Sequence, residues 1–353
     1  MVTVGVDLHK RVSQIAVLTP AGEIVQHRLD NDAEKIAQFF GQIPAPASVA
    51  IEASGTWWWL ADLLEQLGHH PVLSNPKQTK AIAAAKLKND RVDAELLALL
   101  LRADLLPRVW IPPAALREAR ELLRHRIGLV WLRTRTKNAL QSLVARRNLS
   151  PRSAMSWMSA SGQRELAALP LAPQPGTIRQ QYFALLDFLN QQIRVVDKTL
   201  MEHWQADPQV RRLTTIPGIG FFTATLLVLE LGDIHRFPSA KHVASYAGLT
   251  PRVRASGERL RTGQISKEGN RLIRWALVMA ATQAARRPGP LRVWFRAMQR
   301  RRGTKIARVA LARRLSEIVY QVWKTETDYF STMNRTACAG AGPLVSLVSG
   351  PLS

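Results

Sequence analysis

The segment VTVGVDL places a carboxylate, Asp7, inside an otherwise apolar, β-branched run. Such a run reads as a buried strand, and an ionised group within it is costly unless a cation or several donors meet it. Strand alternation sends Val4, Val6 and Leu8 to one face and Thr3, Gly5 and Asp7 to the other. The first element therefore has a core face and a face whose charge needs a partner.

Three further carboxylates extend this pattern. Glu52 ends the short apolar run VAIE and is followed by Ala53, Ser54 and Gly55, small residues that leave space beside it. Asp90 and Asp93, in KNDRVDAELLALLL, stand three apart at the start of an apolar helix and so share one helical face. That pair also suits a capping role, one acid following the other as in a capping box. Four carboxylates from two strands and one helix start repel one another. A hard cation, Mg2+ or Mn2+, relieves the repulsion because such ions take oxygen ligands. Two ions a few ångströms apart would activate an attacking oxygen and steady a leaving one in phosphoryl transfer.

The N-terminal part around these acids reads as α/β. VTVGVDL, VSQIAVLTP and EIVQHRLDN form a three-strand meander, and NDAEKIAQFFGQI is a capped helix. ASVAIEAS is a strand, GTWWWLADLLEQLG a helix closed by Gly68, and HPVLSN a further strand. A helix then opens at Asp90 and runs to about Leu106. Two long helices follow. In the first, over 114–147, Leu116, Leu123, Ile127 and Val130 step by seven, four and three; in the second, over 178–205, Leu186, Leu189, Ile193, Val196 and Leu200 form a heptad seam. The pattern predicts an antiparallel helical hairpin, a coiled coil closed within the chain or against another copy. The Ser/Pro/Ala-rich segment over 148–178 reads as a connector. Beyond Asp207-Pro208, short helices and glycine turns predict an all-α domain. The expected boundaries are 1–110, 111–206 and 207–330, with a frayed tail over 331–353.

Charge narrows the partner. The net charge is +23, and up to residue 120 lysines and arginines balance acids at 13 each. The whole excess therefore lies beyond. From 122 to 164 there is no acid against nine cations, Arg124, Arg126, Arg133, Arg135 and Lys137 among them. The stretch 251–314 has 18 cations and two acids. A solvated face usually mixes signs, so these fields point to a polyanion, DNA or RNA. No apolar run reaches the roughly 18 residues of a membrane span. No secretory signal is visible, and Cys338 alone permits neither an internal disulfide nor a cysteine zinc site. A cytosolic chain with no membrane partner is expected.

Two C-terminal motifs carry chemistry. In IPGIG, Gly218 and Gly220 permit a tight helix-hairpin-helix-like turn whose amides would face a phosphate; a plain helix–helix turn is the alternative. In ASGERLRTGQISKEGN, Ser256 and Ser266 lie among Arg252, Arg254, Arg259, Arg261 and Lys267. A serine hydroxyl is a weak nucleophile that needs a base or metal, and cations to stabilise a pentavalent phosphate. Read alone, a serine in a basic loop is a phosphate contact or a cap. Trp57, Trp58 and Trp59 would stack bases or fill a core.

VGVDLHK, IEASGTW and KNDRVDAELLA, with the strand-strand-strand-helix-strand-helix order around them, resemble the RuvC-like branch of the ribonuclease H fold. More narrowly they resemble the Asp-Glu-Asp-Asp motifs of the insertion-sequence one-ten family of transposases, with its Piv invertase relatives. The stretch from TIPGIG to RLIRWAL is similar to that family's transposase domain, and the likeness covers most of 1–325. The resemblance implies a DNA recombinase with Asp7, Glu52, Asp90 and Asp93 as metal-binding acids. It makes Ser256, in a Ser-Gly step shortly after GLTP, the nucleophile that takes the DNA 5′-phosphate covalently, with the metals of another protomer of a homo-oligomer nearby. Ser266 becomes a helix cap, with Lys267 on a phosphate. It further implies a structured guide RNA, encoded by the element's own non-coding end, that pairs with donor and target DNA. Two other readings stay open on the residues. One is a metal-dependent nuclease or junction resolvase using water; the other is a non-catalytic nucleic-acid-binding protein.

Overall fold

The computed structural model describes residues 2–53, 55–82, 90–149, 159–256 and 259–330, with the backbone alone at 90, 160, 253–256 and 259–262. The expected tail at 331–353 lies outside the described residues, as does 150–158 of the expected connector. Contacts divide the chain into two compact units, Met1–Ala114 and Ala115–Ser353.

The first unit is a six-stranded sheet with helices on both faces. Its strands are β1 (Thr3–Leu8), β2 (Val12–Leu18), β3 (Ile24–Asp30), β4 (Ser48–Glu52), β5 (His70–Ser74) and β6 (Arg108–Val109), in the order β3-β2-β1-β4-β5-β6. β1, β4 and β5 run parallel, and β2, β3 and β6 antiparallel to their neighbours. Its helices are α1 (Ala33–Gly41), α2 (Trp58–Gln66), α3 (Pro76–Ile82) and α4 (Asp90–Arg102). Asp32 caps α1, its carboxylate accepting from the amides of Glu34 and Lys35.

The two sheet faces differ as the alternation requires. Val4, Val6, Leu8, Ile15, Val49, Ile51 and Leu73 pack with Ile36, Phe40, Leu60 and Leu64 in one core. Trp57 is buried there, and Trp58 and Trp59 pack against it. On the other face Ala50 meets Leu97, Leu100 and Leu101 of α4. That helix crosses β1 at Gly5, where a Cβ would stand 2.0 Å from the Ala94 carbonyl oxygen. Only glycine admits so close an approach.

The second unit is mostly helical: α5 (Ala114–Ala145), α6 (Ala160–Ala168), α7 (Pro173–Trp204), α8 (Pro208–Thr214), α9 (Phe221–Leu231), α10 (Ala240–Tyr246), α11 (Arg271–Ala284) and α12 (Pro290–Lys324). The α7 seam residues Leu186, Leu189, Ile193, Val196 and Leu200 are all buried. α5 and α7 run antiparallel. Arg126 bonds to Asp197 and Arg133 to Asn190, one heptad up one helix against one heptad down the other. The region expected as a connector contains α6 and the start of α7. Ser159 caps α6 and Pro173 opens α7, so its Ser and Pro residues mark helix starts rather than loop.

The expected all-α C-terminal domain needs correction. It contains an antiparallel hairpin, β7 (Pro251–Ser256) with β8 (Arg259–Ile265). Alternating Arg and apolar residues in RVRAS and RLRTGQI have strand period, and their charge obscured it. The base of the hairpin is fastened by backbone bonds from Ser266 to Thr250, Lys267 to Gly248 and Asn270 to Tyr246.

Candidate functional site

The acids come from the edges of one sheet face. Val6 of β1 pairs with Ile51 of β4, so Asp7 and Glu52 stand one step beyond, on adjacent strands and on the face that α4 covers. Gln14 lies opposite Asp7 on β2, and Ser74 opposite Glu52 on β5. A row of polar side chains, Gln14–Asp7–Glu52–Ser74, thus crosses the ends of four strands. Asp7 is only 8% exposed. His9, absent from the sequence expectations, places Nε2 3.2 Å from Oδ2 of Asp7.

α4 brings the third acid. Asp93 is half-buried in its first turns, next to Ala94, whose carbonyl lies against Gly5 two residues before Asp7. The helix start is also held from the sheet: Gln14 Nε2 donates to Gln26 Oε1 at 3.3 Å, and Gln26 Nε2 to the Arg91 carbonyl at 3.3 Å. Asp90 is the first described residue of α4, and its side chain lies outside the described residues.

Among the described residues no three Asp, Glu, His or Cys side chains converge on one point that would hold an ion. The donor chemistry nevertheless fits a hard divalent cation. The set is oxygen-rich, and Ser74 beside Glu52 is fully buried with its Oγ unpartnered among the described residues.

The second unit holds the basic residues, and several are already engaged. Arg124 makes a bidentate pair with the buried Glu230, Nε to Oε1 at 2.8 Å and Nη2 to Oε2 at 2.9 Å. Hydrogen bonding to that carboxylate holds the Arg124 guanidinium above its ordinary pKa. Asn270 Nδ2 donates to the same carboxylate at 2.7 Å. Arg120, lowered by burial, donates to the carbonyls of Leu229 and Glu230. Arg126 is bidentate on Asp197 and stacks over Phe222. The acid-free stretch 122–164 therefore draws its counter-charges from α7 and α9. Arg135 remains exposed, and Lys137 is lowered first by burial and then by neighbouring Arg133.

At the IPGIG turn, Gly218 has φ +93°, and a Cβ there would lie 2.4 Å from the Ala280 carbonyl oxygen. The glycine thus serves the close packing of this turn on α11. Gly220 has ordinary extended backbone and caps α9 with open space around it. Ser256 ends β7, in register with Arg259 across the hairpin tip, and Arg254 is in register with Arg261. The side chains of Ser256, Arg254, Arg259 and Arg261 lie outside the described residues. Arg252 and Lys267 are exposed, and Arg252 Nη2 bonds the Ser266 carbonyl. Ser266 is not a helix cap: its Oγ accepts from the Glu268 amide at 3.3 Å, within the loop. Asn270 caps α11 instead, accepting from the amides of Leu272 and Ile273.

Most cations of α12 fall within the basic stretch 251–314. Between Gly269 and Ser316 there are 13 lysines and arginines and no acid. Arg292, Arg296 and Arg300 recur every four residues and are exposed or half-buried, with no carboxylate partner among the described residues. At Gly303, φ +81°, the helix breaks into two halves.

Comparison with known proteins agrees with this layout. Residues 4–147 match a transposase family, DEDD_Tnp_IS110, and residues 210–295 match the transposase IS116/IS110/IS902 family. The chain is 28% identical over 337 residues to the transposase for insertion sequence element IS1328 of Yersinia enterocolitica, covering 93% of this chain and 98% of that protein. It is 25% identical over 342 residues to the transposase for IS1111A of Coxiella burnetii, covering 92% and 90%. It is 30% identical over 279 residues to the pilin gene-inverting protein of Moraxella bovis, covering 77% and 78%.

Proposed function

The chain belongs to the IS110/IS116/IS902 family of transposases, enzymes that cut and rejoin DNA, and on that premise we propose a serine-dependent, metal-assisted and RNA-guided mechanism for it. The placement of Asp7 and Glu52 on one face of adjoining strands, with α4 delivering Asp93 over the same face, carries the metal part of this reading. Asp7, Glu52, Asp90 and Asp93 would hold Mg2+ or Mn2+, with the Ser74 hydroxyl beside them. Such an ion supplies positive charge for a phosphate that gains a fifth oxygen.

Ser256, in the hairpin, supplies the attacking hydroxyl. Its Oγ bonds to phosphorus, the bond from phosphorus to the 3′ oxygen breaks, and the departing 3′ hydroxyl takes the proton. The 5′ end stays on the serine as a phosphodiester, so a second 3′ hydroxyl reverses the step on another strand without ATP. Arg252, Arg254, Arg259 and Arg261, together with Lys267, set positive charge around that phosphorus. The helical middle of the chain closes its α7 seam on the chain itself, so a homo-oligomer pairs through other surfaces. The basic surfaces of α5 and α12 take the backbones of DNA and of a structured guide RNA. A water-using nuclease is the competing mechanism. The two are separated by trapping on a cleavable donor DNA. The proposal expects a denaturation-resistant protein–DNA adduct with the native chain and none with Ser256→Ala, which also ceases to cut. Normal cutting by Ser256→Ala would establish water as the nucleophile.

A further inference from the structure

A cavity of about 340 Å3 opens between α5 and the start of α11, lined by Arg124, Ile127, Trp131, Asn270, Arg271 and Leu272. Its two halves differ in chemistry. Ile127 and Leu272 are buried apolar floor, and Trp131 is a wall left 43% exposed. The guanidinium of Arg271 stands 5.4 Å from the Trp131 ring. No carboxylate pairs with Arg271 among the described residues. Arg124 is fixed beside it by Glu230, which uses Nε and Nη2 and leaves Nη1 for another acceptor. Glu230 is itself 1% exposed, so its charge is directed at Arg124 and Asn270 rather than into the opening.

An anion alone would not need the aromatic wall, and an apolar ligand would not need two arginines. We infer that this cavity holds one unpaired nucleotide of a single strand, its phosphate on Arg271 and Arg124 and its base stacked on Trp131. The volume is at the small end of ligand sites and admits a nucleotide but not a base pair. Base-on-aromatic stacking is indifferent to sequence, so the site grips a strand without reading it. It lies immediately after the β7–β8 hairpin in the chain, and Asn270 joins the two, capping α11 and fastening the hairpin base through its bond to Tyr246. The inference rests on the nucleic-acid reading above and adds a single-strand site to it.

The test is a fluorescence-anisotropy titration of the full chain, at one fixed salt concentration, with labelled dT20, U20 and a blunt DNA duplex of equal length. Trp131→Ala and Arg271→Gln should each weaken single-strand binding about tenfold and leave duplex binding within twofold. Trp131→Phe should restore most of the affinity, which a merely structural role for the indole would not require. The oligonucleotide that loses more affinity identifies the strand as DNA or RNA. Unchanged single-strand affinity in both variants overturns the site, as does equal loss on single strands and duplex. If the native chain binds none of the three probes, the nucleic-acid reading itself fails, and the site with it.

Discussion

Gly5 is the residue on which the acidic site turns. Its missing Cβ lets α4 lie with the Ala94 carbonyl and the Ala98 amide directly on β1. That approach sets how near Asp93 comes to the Asp7 face. A methyl group at position 5 would have to push the helix backbone outward, since neither atom belongs to a flexible side chain. Gly5→Ala should therefore destabilise the first unit by about 1–3 kcal/mol and weaken Mn2+ binding measured by titration calorimetry. Gly41, with open space around it, supplies the control: Gly41→Ala should leave both unchanged. Equal melting of Gly5→Ala and the native chain would contradict the close approach of α4. Asp7 stood out in the sequence because a charge in an apolar strand has few structural explanations, and the structure buries it beside His9. His9 was not, because a histidine just past a strand end carries no pattern.

At the scale of elements, periodicity separated what could be read from what could not. The seam of α7 and the faces of β1 and β4 followed from spacing alone, since burial enforces a period of 3.5 or 2 wherever one side meets a core. The β7–β8 hairpin was missed because its alternation is between arginine and apolar residues in a field of charge. The pairing of Arg124 with Glu230 was equally invisible: the two are 106 positions apart, and nothing in the sequence sets Glu230 beside Arg124 in place of the nearer Glu121. For the same reason the basic stretch 122–164 overstated the charge free for a phosphate, whereas Arg292, Arg296 and Arg300 of the stretch 251–314 have no carboxylate partner among the described residues. Arg292, Arg296 and Arg300 repeat at intervals of about 6 Å along the helix axis, and no ion pair offsets them among the described residues. If this rail lies on a nucleic-acid backbone, replacing all three by glutamine should flatten the slope of log affinity against log salt by about 0.9 for each phosphate no longer neutralised. Binding titrations at four salt concentrations measure this. An unchanged slope would remove α12 from the interface.

On the scale of the whole molecule, charge divides the labour between the two units. The first, with 11 lysines and arginines against 12 acids, sets two of those acids, Asp7 and Glu52, at strand ends on one sheet face; the second carries the entire positive excess and the β7–β8 hairpin. A neutral acid-bearing unit suits cations, and a basic helical unit suits phosphates. Membership of the transposase family means that the chain cuts and rejoins DNA. The most direct measurement is peptide mapping by mass spectrometry of the adduct trapped on donor DNA. The account predicts a nucleotide joined through its 5′-phosphate to the peptide containing Ser256. A nucleotide attached to any other residue, or cut DNA with no attached protein, would contradict it.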